Sequence, residues 1–384
     1  NSCSQEGLVG IRLIKSFVRG DYEEMRFEKR NQQLKEANLT AMKTMLLYTP
    51  LMTLALNITT VVVVWSGGNM IVAGNMQVGD LTAFTNYIVQ IMSSLTMLSI
   101  AFLNWARAIA SFRRVGEVLD EKIDLTDENA KHKDRAVCEG SVEFQNVSFR
   151  YYKNSPEWVI ENISFKLEAG KTLGIIGSTG SGKSTLVSMI PRLYDTDEGT
   201  VLVDGINVRD YGLKPLREGI GMVLQNNTLF SGSITENLKW GDEHADEKAV
   251  RKAAQNAQAA GFIDSFKDGY RTRLEQSGNN VSGGQKQRLC IARALLKCPK
   301  ILILDDSTSA VDTATERAIR EALHSEYKDM TKIIIAQRIR SVMDADEILV
   351  LDNGKTAGFG THEQLLADCP VYREIYDVQN GREE

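Results

Sequence analysis

Two long stretches without a charged residue constrain most strongly what this chain can fold into. Residues 44–79 and 81–106 contain no Asp, Glu, Lys or Arg, and only Asp80 separates them. Each stretch exceeds the roughly 20 apolar residues that a helix needs to cross a membrane. We therefore predict two membrane spans, at about 45–73 and 81–103. The alternative is a pair of buried helices in a large soluble domain.

Basic residues flank this pair of stretches and are missing from the connection between them. Because positive charges remain on the cytoplasmic side, the flanks predict a helical hairpin with both ends in the cytoplasm. The chain is then a multi-pass protein of the cell membrane, in contact with lipid, and whatever follows the hairpin is cytoplasmic. The flanking basic residues are Lys29, Arg30, Lys35 and Lys43 before the first stretch, and Arg107, Arg113 and Arg114 after the second.

The sequence on either side of the spans predicts longer helices. We expect one helix over Leu8–Lys43 that leads into the first span, and we expect the second span to continue as helix to Leu119. Two spans cannot enclose a pathway across a membrane, and the sequence opens without an initiator methionine or a signal peptide. The expectation is therefore a piece of a longer subunit that lacks its N-terminal spans.

The character of the sequence changes after the spans. Residues 120–139 are polar and predict a solvated linker. From residue 140 onwards, strand and helix signals alternate, which is typical of an α/β domain with a mainly parallel sheet. The predicted organisation is an α-helical membrane domain over 1–119, a linker over 120–139 and an α/β domain over 140–384.

Composition excludes several classes of partner and cofactor. The formal net charge is −5 and no basic block is present, so no nucleic-acid partner is expected. The five cysteines have no metal-ligand spacing and suit reduced thiols in the cytosol. Neither a zinc site nor a disulfide framework is predicted.

A phosphate-binding loop follows the buried-strand pattern Leu173–Ile176. Its glycines allow backbone N–H groups to point at phosphates, and the helix that follows adds positive partial charge. Lys183 would contact the β- and γ-phosphates of ATP, and Ser184 would ligate Mg²⁺. The alternative is a glycine turn with a purely structural role. The loop consists of Gly177, Ser178, Thr179, Gly180, Ser181, Gly182, Lys183, Ser184 and Thr185.

Two further apolar runs end in polar side chains. Asp305 and Asp306 close the run Ile301–Leu304, and Gln337 closes the run Ile333–Ala336. A carboxylate after a buried strand is placed to hold Mg²⁺ through water in nucleotide hydrolases of the phosphate-loop class, and Asp305 has that position. A helix cap is the alternative role for Asp305.

The segment Val281-Ser282-Gly283-Gly284-Gln285 identifies a resemblance that covers essentially the whole chain. It is close to the signature sequence of ABC transporters, and the order of membrane domain before nucleotide-binding domain resembles the exporter type. The resemblance implies ATP and Mg²⁺ as cofactors, a second half-transporter as partner, and spans that are the last two of six.

The resemblance also assigns roles outside the motifs above. Tyr151 matches the aromatic residue that stacks on adenine, with Tyr152 as the other candidate. Gln225 matches the loop glutamine that senses Mg²⁺ and contacts the membrane domain, and Ser309–Asp312 matches the loop that crosses the dimer interface. In this family Ser282, Gly283, Gly284 and Gln285 would contact ATP bound to the partner, so each chain serves two sites.

The sequence departs from the family pattern at both hydrolytic positions. Asp306 stands where the family has the Glu that polarises the attacking water, and its carboxylate is retracted by roughly 1.5 Å. A misplacement of about that size can slow a reaction ~10²-fold. Gln337 stands where the family has a histidine, and its amide cannot become a cation. A third departure is Gln276, which replaces an acidic residue.

Such paired changes resemble the degenerate-site subunit of heterodimeric bacterial multidrug exporters. The prediction is an ATP-binding/permease half-subunit for drug-like or lipophilic substrates, with weak hydrolysis at its own P-loop and a signature that completes the partner's site. Two alternatives remain open: a homodimeric exporter with slow hydrolysis, and a regulatory subunit that binds ATP and barely hydrolyses it. A soluble ABC-type ATPase acting on ribosomes or DNA is disfavoured by the uncharged hairpin.

Overall fold

The structure is a computed structural model that describes residues 2–306 and 311–381, and it divides the chain into two compact units. The first unit is helical and comprises residues 1–122; the second is an α/β unit comprising residues 123–384. The predicted order, a helical region followed by an α/β domain, is confirmed.

Four helices build the first unit over its described residues, 2–122. The last two are long and apolar, and each has a stretch that is long enough to cross a membrane: Pro50–Val72, with a mean hydropathy of 1.6, and Val78–Leu119, with 1.5. Almost no residue of either stretch is buried, which disfavours the alternative of core helices. The helices are α1 Ser2–Val9, α2 Ile11–Ser16, α3 Gly20–Val72 and α4 Val78–Leu119.

The predicted single helix over Leu8–Lys43 is wrong at its start. The chain breaks after α1 and again after α2, where Val18 has a left-handed φ of 53° that no α-helix accommodates. A salt bridge of 2.6 Å between Arg26 and Glu6 holds α1 against the start of α3. The prediction that this segment leads into the first span is confirmed, because α3 runs without interruption to Val72.

Asp80, the single charge between the two uncharged stretches, has a structural role. Its carboxylate accepts a hydrogen bond of 3.1 Å from the backbone N–H of Gln77, which is the N-cap of α4. This carboxylate at the helix start also complements the helix dipole. Nearby, a Cβ on Gly67 would lie 2.5 Å from Leu81, so glycine permits the close approach of α3 and α4.

The prediction that residues 120–139 form a solvated linker is wrong from Asp127 onwards. Val137 is 5% exposed, and the backbone N–H of His132 donates to the carbonyl of Asp210 at 2.7 Å. The carboxylate of Asp127 accepts from the N–H of Leu213. The segment therefore packs along the α/β unit, through backbone groups and through the carboxylate of Asp127.

Two larger sheets and a two-stranded ribbon organise the α/β unit. An antiparallel sheet has the order β2-β1-β4-β5, and a six-stranded sheet has the order β12-β11-β3-β10-β9-β6, with only β12 antiparallel. The strands are β1 Val142–Phe149, β2 Ile160–Leu167, β3 Thr172–Gly177, β4 Glu198–Val203, β5 Ile206–Asn207, β6 Ile220–Val223, β7 Gly232–Ser233, β8 Arg273–Leu274, β9 Ile301–Asp305, β10 Thr331–Ile335, β11 Glu347–Asp352 and β12 Lys355–Gly360.

The helices of this unit lie around the six-stranded sheet and in a helical segment inserted after β6. The central strands β3, β9 and β10 are almost wholly buried, which agrees with their continuous apolar sequences. The helices are α5 Lys183–Ser188, α6 Leu213–Glu218, α7 Ile234–Leu238, α8 Glu247–Asn256, α9 Ala260–Ser265, α10 Gly283–Leu296, α11 Thr313–Glu326, α12 His362–Asp368 and α13 Pro370–Asn380.

The parallel register brings the motif residues to one edge of the sheet. Ile335 pairs with Asp305 on one side and with Ile175 on the other. The carboxyl ends of β3, β9 and β10 therefore lie side by side, which is where ligands bind in open α/β sheets. Segments far apart in sequence meet here.

Candidate functional site

A glycine-rich loop connects β3 to α5 and forms the floor of the site. Gly182 caps α5 with a left-handed φ of 89°, and a Cβ there would lie 2.6 Å from Ile160. Gly180 has a similar φ of 86°. Only glycine adopts this backbone without strain, so the loop can turn its N–H groups towards a bound anion.

Lys183 folds back over this loop. Its ammonium donates to the carbonyls of Gly177 at 2.9 Å and Ser178 at 2.6 Å. Burial lowers the pKa of the Lys183 ammonium, while the charges of Asp305 and Asp306 oppose that shift. The lysine is thus a cation held at the edge of a polar cavity, where phosphate oxygens could replace the loop carbonyls as acceptors.

Asp305 and Ser184 provide oxygen atoms that could bind a metal ion at the site. The hydroxyl of Ser184 donates to Oδ1 of Asp305 at 3.0 Å, and Asp305 is 3% exposed. Burial raises the pKa of this carboxyl, and the hydrogen bond from Ser184 partly opposes the shift. A buried carboxylate, a hydroxyl and the nearby amide of Gln225 are oxygen ligands that suit Mg²⁺.

The two residues that depart from the family pattern bind each other. Nε2 of Gln337 donates a hydrogen bond of 2.6 Å to Oδ2 of Asp306. Asp306 has a left-handed φ of 46°, and its N–H donates to the carbonyl of Ile335 at 3.0 Å. Burial raises the pKa of the Asp306 carboxyl, while the bond from Gln337 and the charges of Lys183 and Arg338 lower it.

A cavity of about 200 Å³ joins these groups. Most of the residues predicted for the site line it; Gly177 and Ser178 instead hold Lys183, and Ser181 lies buried in the loop. Val159 and Ile335 also line it, and neither was predicted. The lining residues from the prediction are Thr179, Gly180, Gly182, Lys183, Ser184, Thr185, Gln225, Asp305, Asp306 and Gln337.

Tyr151 lies beside the N-terminus of α5. Its hydroxyl is 2.9 Å from Oγ1 of Thr185, and its ring packs edge-on against Phe149 and Tyr194. Tyr151 is 49% exposed, whereas Tyr152 is 80% exposed. Tyr151, rather than Tyr152, is therefore fixed next to the phosphate loop.

The signature segment lies apart from this cavity. Ser282 caps α10, with its hydroxyl accepting from the N–H of Gln285 and the Gln285 side chain accepting from the N–H of Ser282. Ser282 and Gly283 are exposed, and none of the four predicted residues Ser282–Gln285 lines the cavity. A capped, exposed helix N-terminus is suited to an anion brought by another molecule.

Two glutamines near the site were missed by the sequence analysis. Gln287, which is 3% exposed on α10, donates to the backbone carbonyl of Asp306, and Gln379 on α13 donates to the carbonyl of Gln337. Gln287 stands in the run Gln285-Lys286-Gln287, but only the geometry of α10 shows that its side chain points inward. Ser309 and Ala310 of the predicted interface loop lie outside the described residues.

Profiles of two families match the chain. The family described as ABC transporter matches residues 160–309, and the ABC transporter transmembrane region matches residues 1–95. Together they match parts of both units and include the phosphate loop, the signature and Asp305.

Similar proteins share this organisation along nearly the whole chain. The ABC transporter ATP-binding protein YfiB of Bacillus subtilis is 42% identical over 383 residues, which are 100% of this chain and 66% of that protein. The putative multidrug export ATP-binding/permease protein YgaD of Bacillus subtilis is 39% identical over 98% of this chain and 64% of its own length. The chain thus spans about two-thirds of these relatives.

A solved structure agrees with the fold. A bacterial Atm1-family ABC exporter with ATP bound superposes with a TM-score of 0.89 and 30% identity, over 98% of this chain and 66% of that one. Membrane region, ATP-binding domain and motifs point the same way: the chain belongs to the ABC transporter family, as a membrane protein of the exporter type in which a transmembrane region precedes the nucleotide-binding domain.

Proposed function

We propose that this chain is the ATP-binding/permease subunit of an exporter composed of two unlike subunits. Its own phosphate loop retains Mg²⁺ and ATP with slow hydrolysis. Its signature segment completes the ATP site on the partner, where most hydrolysis takes place. ATP binding at both sites closes the nucleotide-binding domains, and hydrolysis on the partner resets them.

The hydrogen bond between Gln337 and Asp306 carries this proposal. At 2.6 Å, the amide donates to the carboxylate that would otherwise orient the attacking water. The shorter acid is already retracted, and the hydrogen bond from Gln337 occupies one of its two oxygens. A glutamine also stabilises developing phosphate charge less well than a histidine cation. Both departures therefore weaken the same step, the attack of water on ATP.

The groups for binding ATP remain complete. Lys183 would contact the β- and γ-phosphates, Ser184 and Asp305 would hold Mg²⁺ together with Gln225, and Tyr151 would stack on adenine. Bound Mg²⁺ would neutralise phosphate charge. The burial of Asp305 supports this assignment, because a buried carboxylate is stabilised by a cation at its side. ATP retention without rapid turnover fits this set of residues.

The division of labour can be tested with the full-length pair of subunits. We expect Asp306→Asn to change steady-state ATP hydrolysis less than twofold, because the partner site supplies most turnover. Replacing the catalytic Glu of the partner with Gln should lower it by about 10²-fold or more. Equal losses from the two substitutions would contradict the asymmetric division.

A reverse test restores the missing groups. The double substitution Asp306→Glu with Gln337→His should raise hydrolysis at this chain's site by about tenfold or more when the partner's catalytic Glu is replaced. If hydrolysis remains at the background level, the cause of slow turnover lies elsewhere in the site.

Two other arrangements use the same residues. In a homodimer with slow hydrolysis, the purified full-length chain alone would form dimers by native mass spectrometry and transport at a low rate. A regulatory subunit would leave partner-driven transport intact when ATP binding here is prevented by Lys183→Ala. The asymmetric exporter predicts neither result: transport requires both chains and falls with Lys183→Ala.

We also propose lipophilic or drug-like compounds as the exported class. The spans carry no charge from residue 44 to 79 and from 81 to 106, so they offer small anions no counter-ion. One relative is named a putative multidrug export protein. Uptake of a lipophilic fluorescent dye into inverted vesicles that contain the pair should require ATP, and dye-independent ATP hydrolysis with no uptake would exclude this class.

A further inference from the structure

A cleft of about 950 Å³, separate from the ATP cavity, runs between α11 and the strand β10. We call it the α11 cleft. Its volume lies in the range of about 300–1,000 Å³ that is typical of small-molecule sites. Neither the hydrolytic residues nor the signature segment lines it. A neighbouring cavity of about 650 Å³ shares Arg320 and Met343 with the cleft and reaches Asp306 and Gln337, so the cleft adjoins the ATP cavity but shares no lining residue with it.

A buried lysine reaches into the cleft without an anionic contact. Lys332 lies on β10, is 5% exposed and lines the cleft. Within residues 2–306 and 311–381, its ammonium makes neither a hydrogen bond nor a salt bridge. The nearby carboxylate of Asp346 is already engaged, by Lys171 and by the N–H of Thr172, both at 2.8 Å.

The burial around this ammonium is unfavourable when no ligand is bound in the cleft. It lowers the pKa of Lys332 below its ordinary value, although the charges of Asp346 and Asp329 act in the opposite direction. A charge that is largely removed from water and has no hydrogen-bonded partner is less well stabilised than a fully solvated one. A ligand that brought a negative charge to this ammonium would relieve that cost, so the folded chain favours an anion at this position.

The other charges of the cleft favour an anion as well. Nε of Arg320 is buried and has no hydrogen-bond partner among the described residues, while Nη1 of Arg320 donates to the carbonyl of Arg340 at 2.7 Å and to the carboxylate of Asp344 at 3.3 Å. Apart from His324, four cationic side chains and two carboxylates line the cleft. The cations are Arg317, Arg320, Lys332 and Arg340, and the carboxylates are Glu321 and Asp344.

The remaining lining is apolar. Ile334 lies two residues beyond Lys332 on β10 and therefore faces the same side of the sheet. Leu323 of α11 and Met343 line the same cleft. An inorganic ion would leave this surface in contact with water, whereas an organic anion would bury it. The lining thus selects a ligand with one charged end and an apolar body.

We propose that the α11 cleft binds an amphiphilic organic anion, with a carboxylate or phosphate group on Lys332 and its apolar body against Leu323, Ile334 and Met343. The site is independent of the pairing of subunits proposed above. A ligand here would stabilise the contact between α11 and β10, on the α/β unit that holds ATP.

Calorimetric titration of the full chain in lipid nanodiscs tests this site. Saturating Mg²⁺ and a non-hydrolysable ATP analogue keep the nucleotide cavity filled. The probes are 2-naphthoate and 2-naphthyl phosphate, with neutral 2-naphthalenemethanol as the matched compound. We expect saturable binding of at least one anion, and at least tenfold weaker binding of the neutral compound. Binding of neither anion, or equal binding of all three, would overturn the proposal.

A matched pair of substitutions assigns the binding to the cleft. Lys332→Met removes the ammonium and keeps an apolar chain of similar length, and it should weaken anion binding by about tenfold or more. Lys328→Met makes the same change at an exposed lysine outside the cleft and should leave binding within about twofold. Equal effects of the two would place the anion elsewhere.

A further variant covers the case in which Lys332→Met does not fold. Met343→Glu adds a carboxylate at a residue that is 37% exposed, where folding tolerates it. It should weaken anion binding by several-fold and leave the neutral compound unaffected. The proposal fails if this variant binds both anions as tightly as the native chain does.

Discussion

Gln287 donates a side-chain hydrogen bond of 3.2 Å to the backbone carbonyl of Asp306. Gln287 lies on α10, whose N-terminal residues we assign to ATP held by the partner subunit. Asp306 lies in this chain's own cavity. One buried amide therefore links the helix that we assign to the partner's site to the strand end at this chain's own cavity. A shift of α10 on ATP binding would act directly on the backbone of Asp306.

We predict that Gln287→Met weakens this link. The substitution keeps the length of the side chain but removes the donor, and the lost hydrogen bond should lower the free energy of unfolding by about 1 kcal/mol. Thermal unfolding of the full chain should show the loss. Gln255→Met, at an exposed position on α8, provides the matched control and should leave the unfolding temperature unchanged.

The same variant tests communication between sites. In the full-length pair, nucleotide bound here should stimulate hydrolysis at the partner site several-fold less in Gln287→Met than in the native pair. If the unfolding temperature falls but the stimulation is unchanged, Gln287 supports the fold without coupling the sites.

The binding motifs were predictable because they depend on local sequence. A glycine loop between a strand and a helix indicates a phosphate site, and carboxylates after an apolar strand indicate a polar site at the strand's end. Both patterns can be recognised from neighbouring residues alone. The spans were equally predictable from the sequence, since the helices of soluble domains rarely contain an uncharged stretch that is long enough to cross a membrane. Asp305, Asp306 and Gln337 lie side by side because parallel strands align their carboxyl ends.

Features set by tertiary contacts were not predictable. The docked segment around Val137 has a polar sequence, and its pairing comes from the backbone, which sequence patterns do not show. The helix breaks at Val18, which has a left-handed φ. Because this residue is not a glycine, the sequence did not indicate the break. The inward direction of Gln287 depends on the rotation of α10 about its axis, since its neighbours Lys286 and Arg288 are only half-buried.

Tyr151 should contribute to ATP binding through its ring. Tyr151→Phe removes only the hydroxyl that contacts Thr185, so the affinity for a fluorescent ATP analogue should stay within about threefold. Tyr151→Ala removes the stacking surface and should weaken binding by about tenfold. Tyr152→Ala is the control. A loss from Tyr152→Ala as large as that from Tyr151→Ala would transfer the stacking role to Tyr152.

Asp204 should be needed to dock the segment before β1. Its two carboxylate oxygens accept four backbone N–H groups, with Oδ2 bound to residues 138 and 139 and Oδ1 bound to residues 140 and 141. Asp204→Ala should lower the free energy of unfolding by about 3 kcal/mol. Asp204→Asn keeps one acceptor oxygen and should lose less.

A surface carboxylate serves as the control for this prediction. Asp210 is half-buried and forms a salt bridge of 3.3 Å with the exposed Lys131, so Asp210→Ala should cost less than about 1 kcal/mol. Chemical unfolding followed by tryptophan fluorescence measures all three variants. Equal losses at the two positions would mean that the network at Asp204 adds nothing beyond surface charge.

Asp305 should make the stability of the metal-free chain depend on pH. Burial raises the folded-state pKa of this carboxyl above its unfolded value. The folded state then binds more protons than the unfolded state between these two values, so stability is lost as the pH rises through the folded-state pKa. In EDTA, the unfolding temperature of Asp305→Asn should therefore rise relative to that of the native chain as the pH increases from about 4 to 8.

With Mg²⁺ and ATP bound, the native chain should instead be more stable than Asp305→Asn at high pH. The native chain offers a carboxylate to the cation and should gain several degrees in unfolding temperature at pH 8, whereas Asp305→Asn should gain little. Asp268→Asn, at an exposed site on the same unit, should behave like the native chain under both conditions. If Asp305→Asn retains the full stabilisation by Mg²⁺ and ATP, Asp305 does not hold the cation, and its buried carboxyl serves the fold alone.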